Sequence, residues 1–286
     1  MSEFMDKITG FIRDKSMPIF SISIAGEGIA PECARLIPTN RCQDSYSVAK
    51  AFTVTAFGLA WDRGLIKPED LATQVLAEYV PENIDPRWHE VTLHHALTHR
   101  LGLPNGFLDI DALDAREFGR DYLDYMLRTQ LIYRPGTDYA YSDGAFYLLS
   151  RAVEQVCGEP IDNLLWRELF YPMGYSEMAW SRCPMGHPMG ATGLYITDED
   201  TVKLGELYRN GGMWQGKRII SREWTDIVFE RGYELTKTAV PGVYGKGGMY
   251  GQMLCIYREK GFSAAWHGFG VENGDELIQA IADFSV

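Results

Sequence analysis

The chain has 286 residues, 46% of them hydrophobic and 13% aromatic, enough apolar material for a full core in one large domain or two interleaved lobes. A formal net charge of -12 argues against nucleic acid and anionic membranes as partners. Cys33, Cys42, Cys157, Cys183 and Cys255 are scattered, form no C-x-x-C pair and read as reduced thiols in a reducing compartment, and no window approaches the roughly 18 uncharged apolar residues of a membrane span.

The N-terminal "MSEFMDKITGFIRDK" mixes charged and apolar residues as an amphipathic helix does, not a secretory signal, so a cytoplasmic location is expected. "PIFSISIAG" (18–26) is rich in strand formers and ends in glycine; it predicts a strand. "CARLI" (33–37) predicts a second, with "GEGIAPE" as the turn between them. From Ser47 to Gly64 the chain reads "SVAKAFTVTAFGLAWDRG", whose first 15 residues hold one charge, Lys50; a helix apolar nearly all round belongs in a core. "KPED" then opens a new element, with Pro68 and two acids suited to a helix N-terminus.

Residues 92–104 predict a short helix stopped by Gly102 and Pro104. Helical periodicity follows over 115–130, 144–157 (ended by Gly158), 161–170 and 198–210 (ended by Gly211 and Gly212). Residues 221–230 open with a Ser cap. The texture changes over 242–269, where two strand-like runs flank the polar turn "REKG", and 272–284 predicts a terminal amphipathic helix. Strands at both ends with helices between predict an α+β chain: residues 1–46 and 240–286 forming an α/β sandwich with a mainly antiparallel sheet, 47–239 forming an all-helical domain, and an active site between them.

Three short motifs carry the chemistry. Ser47 stands three residues before Lys50, so on a helix their side chains share a face and can touch. A helix N-terminus favours negative charge on the serine, and burial of the lysine favours the neutral amine that a base requires. The bland alternative is a Ser cap followed by a lysine that snorkels to solvent. "YSD" puts Tyr141 just before a helix, from where its hydroxyl can be aimed at a neighbouring site. "KGG", Lys246-Gly247-Gly248, sits at the start of an expected edge strand, where glycines admit a substrate backbone.

Ser-x-x-Lys, then a Tyr motif, then Lys-x-Gly, in that order, resembles the serine β-lactamase and penicillin-binding-protein-like superfamily. The tyrosine points to the class C branch of β-lactamases, esterases and D-peptidases. "VTLHHALTHRLGLP", the segment after Tyr141, "GATGLYITDEDTVKLGELYRNGG" and "KGGMYGQMLCIYREKGFSAAW" continue the resemblance over most of the chain. It implies a β-lactamase/transpeptidase-like fold and an acyl-enzyme mechanism. Ser47 would attack a carbonyl, Lys50 and Tyr141 would share the base role, and the N–H groups of Ser47 and Met249 would form the oxyanion hole. Lys246 would keep the field positive and hold Tyr141 or a substrate carboxylate, with Asp143 and Gly248 completing the substrate side.

Two residues depart from the family pattern. Asp143 stands where asparagine is common, and Gly247 replaces the threonine of Lys-Thr-Gly, deleting a hydroxyl that helps hold an antibiotic carboxylate. Both changes favour an esterase-like or peptidase-like relative over an efficient β-lactamase. "HGFG" at His267 is the other candidate third motif, but only 19 residues follow it against 40 after Lys246, too few for a hairpin and a helix.

Rival signals are weaker. His94, His95 and His99 lack an accompanying H-E-x-x-H and read as ordinary core or surface histidines, so no metal is expected. Ser263 in "GFSAAW" lacks the second glycine of a nucleophile elbow, and "GVYGKGGMYG" lacks the Gly-Lys-Ser/Thr of a phosphate loop. The expectation is a serine hydrolase without cofactor acting on a small ester, amide or β-lactam, with oligomeric state unassigned. The alternative is a catalytically silent protein that senses a ligand on the same fold.

Overall fold

The computed structural model describes residues 1–285. Its helices are α1 (Glu3–Asp14), α2 (Ala49–Asp62), α3 (Ala72–Val75), α4 (Leu93–Leu97), α5 (Tyr122–Arg128), α6 (Asp143–Cys157), α7 (Ile161–Leu165), α8 (Asp198–Arg209), α9 (Arg222–Arg231) and α10 (Gly274–Phe284). Its strands are β1 (Ile19–Gly26), β2 (Ile29–Arg35), β3 (Gln43–Asp44), β4 (Met178–Trp180), β5 (Leu194–Ile196), β6 (Met213–Trp214), β7 (Lys217–Arg218), β8 (Thr236–Lys237), β9 (Val243–Gly247), β10 (Met253–Tyr257) and β11 (Phe262–Gly268). Two compact units result: Met1–Ala51 with Phe170–Ala179 and Leu194–Val286, and Phe52–Leu169 with Trp180–Gly193.

The first unit is built on a six-stranded sheet in the order β2-β1-β11-β10-β9-β8, with each neighbouring pair antiparallel. The N-terminal β1 lies beside the C-terminal β11, so both ends of the chain make one sheet, as expected. Strand alternation sorts the faces. Ile22 and Ile24 pair with Trp266 and Ala264 and face a core that also holds Met5, Ile8 and Ile12 of α1 and Leu277 and Ile281 of α10. The opposite face packs on α8, through β1, β10 and β11. There the Ser21 and Ser23 hydroxyls donate to the Asp198 carboxylate at 2.9 and 2.8 Å, tying β1 to the first residue of α8.

The second unit is mainly helical. Its centre is α6, buried from Asp143 to Val153 and packed against α3, α4, α5 and α7. Gly158 ends α6 in the left-handed region at φ 72°, as its position past the last apolar residue suggests. Asp85 is a buried anchor: its carboxylate accepts from the backbone N–H groups of Arg87 and Leu131 and from the Arg87 guanidinium. The Arg87 guanidinium holds that carboxyl down at about 2. Among the described residues no helix is long and apolar enough to cross a membrane.

Several boundaries differ from the sequence reading. Strand β2 starts at Ile29, not residue 33, because the turn is only Glu27-Gly28, with Gly28 at φ 70°. Pro31 read as turn, yet β2 is a sheet edge, where a missing N–H is tolerated. "KPED" opens no helix; the Asp70 carboxylate accepts from the Lys67 N–H and closes a turn. Helix α4 ends at Leu97, with Thr92 and His95 forming a reciprocal N-terminal cap. Gly119, at φ 68°, splits 115–130 into a short 3-10 turn and α5. The 242–269 region makes three strands, with Lys246 near the end of β9, and the sheet edge is β8. The helical stretch expected over 47–239 is divided, since 194–239 belongs with the sheet through the packing of α8.

Candidate active site

Ser47 sits in a 3-10 turn, Tyr46–Val48, that runs directly into α2. The turn is held from several sides. Ser45 N–H donates to the Leu194 carbonyl at 2.9 Å, and Tyr46 N–H donates to the Asp44 carboxylate at 2.8 Å. Tyr46 has φ 47°, a left-handed conformation uncommon for a non-glycine residue, and its ring meets that of Tyr250 edge-on with centroids 5.0 Å apart. Strain concentrated next to a chemically capable hydroxyl is a pattern of functional sites. Lys50 is completely buried, and its Nζ donates to Ser47 Oγ at 3.1 Å. The lysine therefore does not snorkel outward.

Strand β9 packs against the turn that carries Ser47. The reason for Gly248 is visible there. A Cβ on it would lie 2.6 Å from Gln252 Oε1 and 2.8 Å from the Ser45 carbonyl oxygen. The sequence assigned the glycines to an approaching substrate; at Gly248 the close neighbour is the protein's own Ser45. A Cβ on Gly247 would meet only Met253 Sδ at 3.4 Å and Gln252 O at 3.7 Å. Gly251 N–H donates to the Gly248 carbonyl at 3.1 Å, closing a turn that leaves Met249 exposed beyond the end of the strand ladder.

Lys246 differs from its expectation. It is ion-paired with Glu234, and the two side chains are only 13% and 5% exposed. The expected open positive charge is matched by a buried carboxylate, which nothing local in "RGYELT" signals.

Tyr141 and Asp143 lie in the second unit, and His99 organises their segment. The His99 carbonyl accepts from Ala140 N–H at 2.8 Å, and its Nδ1 accepts from Ser142 N–H at 3.2 Å. The imidazole also lies against the Tyr141 ring, with centroids 4.3 Å apart and planes tilted by 31°. Gly106 N–H donates to the Tyr141 carbonyl at 2.7 Å. His99 is 3% exposed, so the histidine that looked like an incidental core residue fixes the tyrosine. Asp143 is the first residue of α6, with carboxylate oxygens of Asp109 and Asp111 within 4.8 Å. Among the described residues these three acids, not His94, His95 and His99, are the cluster with metal-ligand spacing.

His267, next to last in β11, is 2% exposed, and neither ring nitrogen has a hydrogen-bond partner. Burial pushes its pKa down to about 4. It is a neutral core histidine.

The model of the Beta-lactamase family matches residues 33–276, a span that includes Ser47, Lys50, Tyr141 and Lys246. The chain belongs to the Beta-lactamase family. A "Putative D-alanyl-D-alanine carboxypeptidase" of Escherichia coli O157:H7 is 28% identical over 126 residues, covering 41% of this chain and 29% of that protein. The chain thus aligns with under a third of that relative's length. A family VIII carboxylesterase superposes with TM-score 0.76 at 19% identity, covering 98% of this chain and 96% of the other. A penicillin-binding protein homologue from Caulobacter crescentus superposes with TM-score 0.76 at 15% identity, covering 99% and 96%. At these identities the two structures share the fold of this family member.

Proposed function

We propose that this Beta-lactamase family member is an acyl hydrolase of small esters or amides, working through an acyl-enzyme on Ser47. The observation that carries the reading is the completely buried Lys50 with Nζ 3.1 Å from Ser47 Oγ. Ser47 Oγ attacks the substrate carbonyl, and its proton passes to the Lys50–Tyr141 base. The Oγ–C bond forms, the backbone N–H groups of Ser47 and Met249 stabilise the oxyanion, and the bond to the leaving group breaks. Tyr141 returns the proton to the departing alkoxide or amine. Water, deprotonated by the same base, then attacks the ester and releases the acid and free Ser47. The assignment of Tyr141 and Asp143 to this site rests on their place in the family's second motif. The names of the similar proteins, an esterase and a D-peptidase, support ester and amide substrates.

The test is intact mass after treatment with a fluorophosphonate probe, for wild type and Ser47→Ala in parallel. One adduct on wild type and none on the variant is expected, with ester hydrolysis lowered at least about a thousandfold in Ser47→Ala. No adduct on folded wild type sinks the reading and returns the protein to ligand binding.

A further inference from the structure

The structure assigns Glu234 a part in substrate choice: we propose that it cancels the charge of Lys246 and makes this a site for esters and amides bearing no carboxylate beside the scissile bond. The inference rests on the reading of Ser47 as nucleophile.

Lys246 lies on β9, the strand that packs against the Ser47 turn, and in the proposed site its charge faces the substrate. A bare ammonium there would attract a carboxylate on the leaving-group side of the substrate. Instead it is ion-paired with Glu234, and both partners are nearly withdrawn from solvent, where charges are least screened. The two charges largely cancel for a third group. Gly247 supplies no hydroxyl that would bind the same carboxylate.

Glu234 is built into place. It lies in the connection from α9 to β8, after Gly232 has ended α9 in the left-handed region. Its neighbours Tyr233 and Leu235 are both completely buried, so the segment cannot swing outward without exposing them. Glu234 N–H donates to the Gly232 carbonyl at 3.0 Å, and Leu235 N–H to the Tyr233 carbonyl at 2.8 Å. Glu234 itself has φ 63°, a conformation that costs a non-glycine residue free energy. A strained backbone flanked by two buried neighbours holds the Glu234 carboxylate against Lys246.

The test uses two thioesters with one acyl group: S-phenylacetyl thioglycolate, with a free carboxylate on its leaving group, and its methyl ester. Thiol release gives kcat/KM for each, and because the acyl-enzyme is common, the ratio isolates acylation. Wild type is expected to favour the methyl ester. Glu234→Gln, folded by circular dichroism, is expected to move the ratio about tenfold or more toward the acid, and less so at high salt. A wild-type preference for the acid overturns the proposal, even if the variant does not fold. So does an unchanged ratio in folded Glu234→Gln. Failure of the nucleophile reading looks different: neither thioester is cleaved and the fluorophosphonate leaves no adduct.

Discussion

At the scale of single residues, the contacts around Ser47 and Tyr141 are of two kinds. Ser47 and Lys50 are neighbours in sequence, and the 3.1 Å contact follows from a helix starting there. Tyr141 depends on a residue 42 positions away, since His99 supplies an acceptor to Ser142 N–H and a ring face to Tyr141. With Tyr141 as the proposed base, His99 is a positioning residue. His99→Ala is expected to lower kcat about 10- to 100-fold with little change in KM, because a misplaced base costs rate more than binding. His99→Phe, which keeps the ring contact and loses the acceptor, should fall between. Steady-state kinetics with melting temperatures for both variants separate this from a purely structural role, which would lower stability and leave kcat intact.

At the scale of elements, the helices with clear punctuation were legible. Gly158 ends α6 and Ser221 caps α9 through Trp224 N–H, both readable from residue type alone. The misread elements share a cause: local chemistry was right and its setting was absent. Pro31 is a poor strand residue except on an edge, and whether a strand is an edge is decided by its partners. The acids of "KPED" suit a helix start equally well as a turn, and Asp70 closes the turn. The join between β1 and α8 makes a sharper test. Asp198 is buried, its pKa is raised by that burial, and the Ser21 and Ser23 hydroxyls counter it. Ser23→Ala removes one of these donors without leaving a large cavity and is expected to cost about 1–3 kcal/mol. Urea denaturation measures this, and a cost near zero would mean the carboxylate finds no use in that bond.

At the scale of the whole molecule, burial sets a pH dependence through His267. In the fold it stays neutral down to about 4, whereas its ordinary value is 6.5. Between those values the unfolded chain binds a proton that the native state refuses. Stability from this residue is therefore complete above the ordinary value and is lost as the pH falls toward 4. From pH 7.5 to pH 5, wild type is expected to lose about 2 kcal/mol more than His267→Gln, by urea denaturation at both pH values. Equal losses would show that the imidazole is not held neutral.

The sequence by itself determined the family, the sheet made from both ends of the chain, and the Ser47–Lys50 pair, because strand alternation, helical spacing and motif order are properties of near neighbours and of chain order. It also named Lys246 and Gly248, though not what they meet. Only the tertiary structure decided that Gly248 makes room for the Ser45 carbonyl, that His99 steadies Tyr141, and that Glu234 neutralises Lys246. Each of these joins residues distant in sequence. Steric exclusion and charge pairing act through space over a few ångströms, and chain spacing does not record which distant residues come that close.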